Sequence, residues 1–93
     1  MNDLITVLWE GLREAGIAEV MLYLPDGSAC RSHWDDTAMV GETRVALLGD
    51  QERNIVRIIP IGSCIGIGVP CPKGVDPVGY RAVVQNKLQS RFA

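Results

Sequence analysis

Cys30, His33, Cys64 and Cys71 are the residue types, in the right number, for a closed tetrahedral zinc site. Their spacing argues against one. Cys30 and His33 lie three apart, which on a strand sends them to opposite faces. Six residues separate Cys64 from Cys71, where paired zinc ligands use roughly two to four. The simpler reading makes Cys30 and Cys64 small core residues, Cys71 a loop thiol and His33 an exposed strand residue. A small-ligand or metal-binding sensor using Cys30, His33, Cys64 and Cys71 stands as the alternative, and no metal or other cofactor is expected.

Asp35 and Asp36, beside Trp34 and His33, have the chemistry for acid–base work. Adjacent aspartates on a loop more often open a turn, because their side chains bond nearby backbone. His33 has no serine or cysteine partner that the sequence places within reach, so no catalytic residue is assigned. In "IIPIGSCIGIGVPCP", from Ile58 to Pro72, a dinucleotide fingerprint built on Gly66-x-Gly68 needs glycine at position 71, which is cysteine. Lys73 stands outside a Walker pattern, so nucleotide binding is not expected. Arg31, Arg44 and Arg57 each alternate out of an apolar strand set. On neighbouring strands they would form a basic stripe suited to an acidic protein partner or a phosphate; otherwise they are solvated strand positions.

The elements that carry these residues follow from periodicity. Residues 3 to 15 read as a helix with Leu4, Leu8, Leu12 and Ala15 on one stripe, widened by Ile5 and Trp9. Asp3 is its N-cap and Gly16 its stop, and Gly11 marks close packing against a neighbour. Trp9 is expected as a core anchor. From Glu19 the period drops to two: Val20, Leu22 and Leu24 face one way, Glu19, Met21 and Tyr23 the other, and a Pro-Asp-Gly turn returns the chain as a hairpin. "TRVALLG" and "NIVRIIP" form a second hairpin around the polar turn from Gly49 to Arg53. "DDTAMVGE", Asp35 to Glu42, is long enough for a loop or a single helical turn. From Ile61 to Val69 branched aliphatic and small residues alternate, which predicts a fifth strand with one nearly bare face against which a helix can lie. Asp76 caps a last helix that begins at Pro77 and carries Tyr80, Val84, Leu88 and Phe92 on one stripe.

Ninety-three residues with 47% hydrophobic and 22% charged content make one globular domain. A net charge of −2 with interspersed signs disfavours nucleic acid and membrane surfaces as partners. No apolar run approaches the roughly 18 residues of a membrane span. The N-terminal "MNDLITVLWEGL" carries Asp3 and Glu10 without the leading positive charge of a secretory signal. Three cysteines at irregular spacing fit a reducing, cytoplasmic setting.

The expected architecture is α+β: an antiparallel five-stranded sheet with the N- and C-terminal helices packed on one face, in the order α-β-β-β-β-β-α. Two helices cannot cover both faces of such a sheet. An uncovered apolar face marks an interface, so a homodimer or partner-binding sheet is expected, with Met21, Tyr23, Leu48, Ile65 and Ile67 as interface residues. Pairing through an outer strand edge is a second route.

With these elements the chain resembles the Roadblock/LC7 family, whose profilin-like layout is a helix, a hairpin, a middle helix, three strands and a last helix. "EVMLYLPDGSAC" is similar to that family's first hairpin and "ERNIVRIIPIGSCIGIGV" to its last two strands, while "DDTAMVGE" takes the place of the middle helix. The resemblance implies a small non-catalytic interaction or regulatory module, a homodimer or scaffold subunit whose partner is a protein such as a small GTPase. It transfers no functional residue.

Overall fold

The first helix, α1 (Leu4–Glu14), forms where the four-residue apolar repeat runs, and Asp3 caps it by accepting the Thr6 N–H at 2.8 Å and the Thr6 hydroxyl at 2.9 Å. Gly16, at φ 96°, takes the left-handed conformation that ends it. The structure, a computed structural model, describes residues 3–92. The helix turns Trp9 and Leu12 inward, whereas Leu4 stays 70% exposed. The apolar stripe is therefore centred one residue further round than Leu4, Leu8 and Leu12 alone would place it.

Two strands follow, β1 (Glu19–Tyr23) and β2 (Ala29–His33), paired antiparallel with Leu22 opposite Cys30 and Glu19 opposite His33. Val20, Leu22 and Leu24 are buried, as the alternation requires. The Pro25–Gly27 turn closes with Leu24 N–H on the Ser28 carbonyl at 2.9 Å, and the Asp26 carboxylate accepts the Ser28 N–H and hydroxyl. The Ser28 hydroxyl, then its amide, hold the Asp26 carboxyl below the usual carboxylate range.

A 3₁₀ turn at Trp34–Asp36 then redirects the chain into β3 (Thr37–Val40), a strand inside the stretch expected as loop or helical turn. The hairpin β4 (Thr43–Asp50) and β5 (Ile55–Pro60) comes next, then a second 3₁₀ turn (Ile61–Ser63), β6 (Gly66–Gly68) and α2 (Pro77–Phe92). The expected alternating strand from Ile61 is thus shortened to three residues, because its first turn coils.

Six antiparallel strands divide into two three-stranded sheets, ordered β2-β1-β6 and β3-β4-β5. The single five-stranded sheet with both helices on one face is corrected by this arrangement. The cause lies at the two 3₁₀ turns: each breaks the extended backbone, so β3 leaves the β1–β2 hairpin and β6 leaves β5 to pair with β1. One core forms between them from Trp9, Leu12, Val20, Leu22, Leu24, Ala46, Ile61 and Cys64. The α1 helix packs on the Ile61–Ser63 turn, on β6 and on α2.

Candidate interaction surface

Register assigns the two faces of the β3-β4-β5 sheet. Ala46 pairs with Ile59 and with Thr37, and Ala46 lies in the core, so Arg44, Leu48 and Arg57 share the inward face. The outward face carries the other parity: Val40 opposite Thr43, Ala38 opposite Val45, Leu47 opposite Ile58 and Gly49 opposite Val56. Val40 is 62% exposed, and Val56 and Ile58 are each 64% exposed. Val45 on the same face is buried, so the exposed residues fall into two groups, Val40 at one end and Val56 with Ile58 at the other. Apart from Thr43 and Gly49 this face is apolar. The main contacts of α1 are with the Ile61–Ser63 turn, β6 and α2.

The outer strand of that sheet is guarded at its edge. Arg57 points inward from β5, and Pro60, which has no N–H, ends it. An inward charge and a proline are the devices that stop an edge from recruiting another strand. The opposite edge, β3, is only four residues long. Exposure therefore concentrates on the face of the sheet, and its edges are blunted.

The expected interface residues spread elsewhere. Met21 and Tyr23 lie on the outer face of the β2-β1-β6 sheet, and the Tyr23 ring rests over Gly66 and Gly68, where an added Cβ would meet it. The bare face of β6 is thus covered by an aromatic ring, whereas a helix was expected there. Ile67 packs half-buried against the core, and Leu48 is half-buried on the inward face. Ile65 is 68% exposed, with its N–H on the Tyr23 carbonyl at 2.8 Å. The residues that sequence reasoning missed are Val40, Val56 and Ile58. For Val56 and Ile58 the signal was the doubly apolar "IVRII", which alternation on one face alone does not explain; Val40, at the end of "TAMV", had none.

The three arginines do not form a stripe. Arg44 turns in beneath α1, its guanidinium 4.2 Å from the Trp34 ring centroid, 3.8 Å from Glu10 and donating to the Thr37 hydroxyl at 2.9 Å. Trp34 in turn meets Trp9 edge to face, with centroids 5.2 Å apart. Arg31 pairs with Glu19 at 3.3 Å. Arg31 and Arg57 do line one concavity of about 420 Å³, but Asp36, Asp50 and Glu52 line it too. Two guanidiniums facing three carboxylates give no net attraction for a phosphate.

Among the described residues the sulfur and imidazole groups do not gather as one ligand set. Cys30 faces inward with its thiol on the Leu22 carbonyl at 3.8 Å, Cys64 is buried, and Cys71 sits in the loop after β6. Burial pushes both the Cys30 and Cys64 thiols above their ordinary range. His33 is exposed and accepts the Asp35 N–H at 3.2 Å, so it caps the 3₁₀ turn that Asp35 and Asp36 complete. Among the described residues no three of His, Cys, Asp or Glu gather as metal ligands. No family model, curated protein or solved structure matches the chain. The apolar outer face of β3-β4-β5 is therefore the feature on which a function is best built. Among the described residues no helix is long and apolar enough to cross a membrane.

Proposed function

We propose that the protein is a small non-catalytic interaction module that self-associates by stacking the outer face of its β3-β4-β5 sheet on the same face of a second copy. The observation that carries this reading is the exposure of Val56 and Ile58 on β5 and of Val40 at the far end of β3, all on one apolar sheet face. An isologous two-fold contact buries each of these side chains twice, once per protomer. Full burial of a valine or isoleucine contributes about 1.5–3 kcal/mol, and these are already about one-third covered. The pair of faces therefore gains on the order of 10 kcal/mol before the cost of association, which is roughly 4–15 kcal/mol. At the low end of that cost the surplus is about 6 kcal/mol, which sets the expected reversible dimer at a Kd of roughly 10–100 μM, weaker than an obligate one.

The Roadblock/LC7 resemblance points the same way, to a dimer without catalysis. Three free cysteines, one of them buried, support a reducing cytoplasmic setting. Sedimentation velocity from about 10 to about 500 μM tests the reading: the wild-type chain shifts from monomer to dimer across that range. The V56K/I58K double variant stays monomeric throughout. A wild-type chain that remains monomeric at the upper concentration overturns the proposal.

A further inference from the structure

We propose that the groove between β6 and α2 is a binding site for one extended alkyl chain ending in a carboxylate. It has a volume of about 500 Å³ and an apolar wall made by Ile67 and Val69 on one side and Tyr80, Val84 and Leu88 on the other. That volume falls within the roughly 300–1,000 Å³ of small-ligand sites. The helix stripe that should close it does not. No residue of α2 is buried, and its apolar residues are much less sharply gathered on one side than those of α1, which buries Trp9 and Leu12 fully or nearly so.

The asymmetry of the helix's attachment accounts for the opening. At its C-terminal end α2 is fixed to the body four times: Lys87 Nζ donates to the Ala15 carbonyl at 3.3 Å, Arg91 pairs with Glu14, the Phe92 ring lies on Gly11, and Leu88 packs on the core. At its N-terminal end the hydrogen bonds are local ones, from Val78 N–H to the Asp76 carboxylate and from Tyr80 N–H to the Asp76 carbonyl. The segment leading into it contains Pro70, Pro72 and Gly74, and none of these holds it to the sheet through a bond. The Leu88 end of the groove is thus the end at which α2 is tied to the body, and the Tyr80 end the one held by local bonds alone.

Charge and length select the occupant. Arg81 is the one charged residue lining the groove, and it sits at the end beside Tyr80. Its Nε donates to the Val78 carbonyl at 3.2 Å, which orients the guanidinium and leaves its two terminal amino groups without a protein partner among the described residues. Such a fork takes a carboxylate in bidentate fashion. Arg81 and Leu88 are about 10 Å apart along the helix at 1.5 Å rise per residue, the reach of an extended chain and longer than a compact ring.

Methyl-detected NMR titration with decanoate, decanol and decyltrimethylammonium, each below its micellar concentration, tests the assignment. Decanoate should give saturable one-to-one shifts at the methyls of Ile67, Val84 and Leu88, with decyltrimethylammonium weaker by on the order of tenfold or more. R81Q should weaken decanoate by on the order of tenfold and leave decanol unchanged. V84W, which fills the groove, should abolish both; if circular dichroism shows that it fails to fold, the R81Q comparison decides. Equal binding of the anionic and cationic chains, an unchanged affinity in R81Q, shifts centred on Val56 and Ile58, or no saturable binding overturns the proposal.

Discussion

Asp3 ties two segments together with one carboxylate. It caps α1 through Thr6, and it lies so near Gly62 that any Cβ at position 62 would collide with it. One glycine of the "IGSCIGIG" run is therefore a clearance for the helix cap. Burial alone would raise the Asp3 pKa, but the Thr6 amide and hydroxyl outweigh it, and the carboxyl is held below its ordinary 3.8. A depressed folded-state pKa contributes stability that is present above the unfolded value and lost as pH falls through the folded one. D3A should cost about 1 kcal/mol at pH 7 in urea denaturation, and its deficit against wild type should shrink as the pH is taken below 3.8. A second residue-scale test concerns Gly11, whose missing Cβ makes room for the Phe92 ring. G11A gains up to about 1 kcal/mol of helix propensity but displaces the ring, which is half-exposed and terminal. It should therefore stabilise F92A more than it stabilises wild type, a coupling that a double-mutant cycle reads directly. The cap, the Gly16 stop and the need for space at Gly11 were legible from local rules. That Phe92 fills the space was not, because nothing local relates residues so distant in sequence.

At the scale of elements, the 3₁₀ turn at Trp34–Asp36 decides more than its length implies. It sends Trp34 under α1, where Arg44 stacks on it and Trp9 meets its edge, so one cluster joins α1, the turn and β4. The Arg44 Nε is buried and 3.8 Å from Glu10, so the attraction there is ionic and no hydrogen bond forms. R44A should cost about 1–2 kcal/mol by chemical denaturation, mostly from the lost stacking and aliphatic packing. E10Q should cost clearly less, because a partly exposed pair of that length is screened by solvent. Equal losses in the two variants would make the ion pair, and not the stack, the main contact. Helices and the two hairpins were readable from period and turn residues, and β3 was not. "TAMV" is short, and its pairing with β4 is what makes it extended. Similarly, alternation from Ile61 onward fitted a strand, but tertiary packing of Ile61 into the core was satisfied by a coil of 3₁₀ geometry.

For the whole molecule, strand alternation led to the expectation of more apolar surface than two helices cover, and the single chain does expose Val40, Val56 and Ile58. Which residues form the surplus depended on knowing that the chain makes two sheets, since that choice alone decides whether Leu48 or Ile58 faces water. A shift of one residue in parity exchanges the two sets. The consequence is measurable without any partner. If the outer face of β3-β4-β5 stacks on itself, folding and association are linked, and the melting temperature of the wild-type chain should rise with protein concentration across the Kd. V56K/I58K should melt at one temperature at every concentration. Both side chains are 64% exposed in the single chain, so their replacement costs the monomer little, on the order of 0.5 kcal/mol. At the dilute end the variant and the wild type should therefore coincide within about four degrees, and separate further only as concentration rises. A variant already far less stable when dilute would mean that Val56 and Ile58 hold the monomer together, and the face would lose its claim to be an interface.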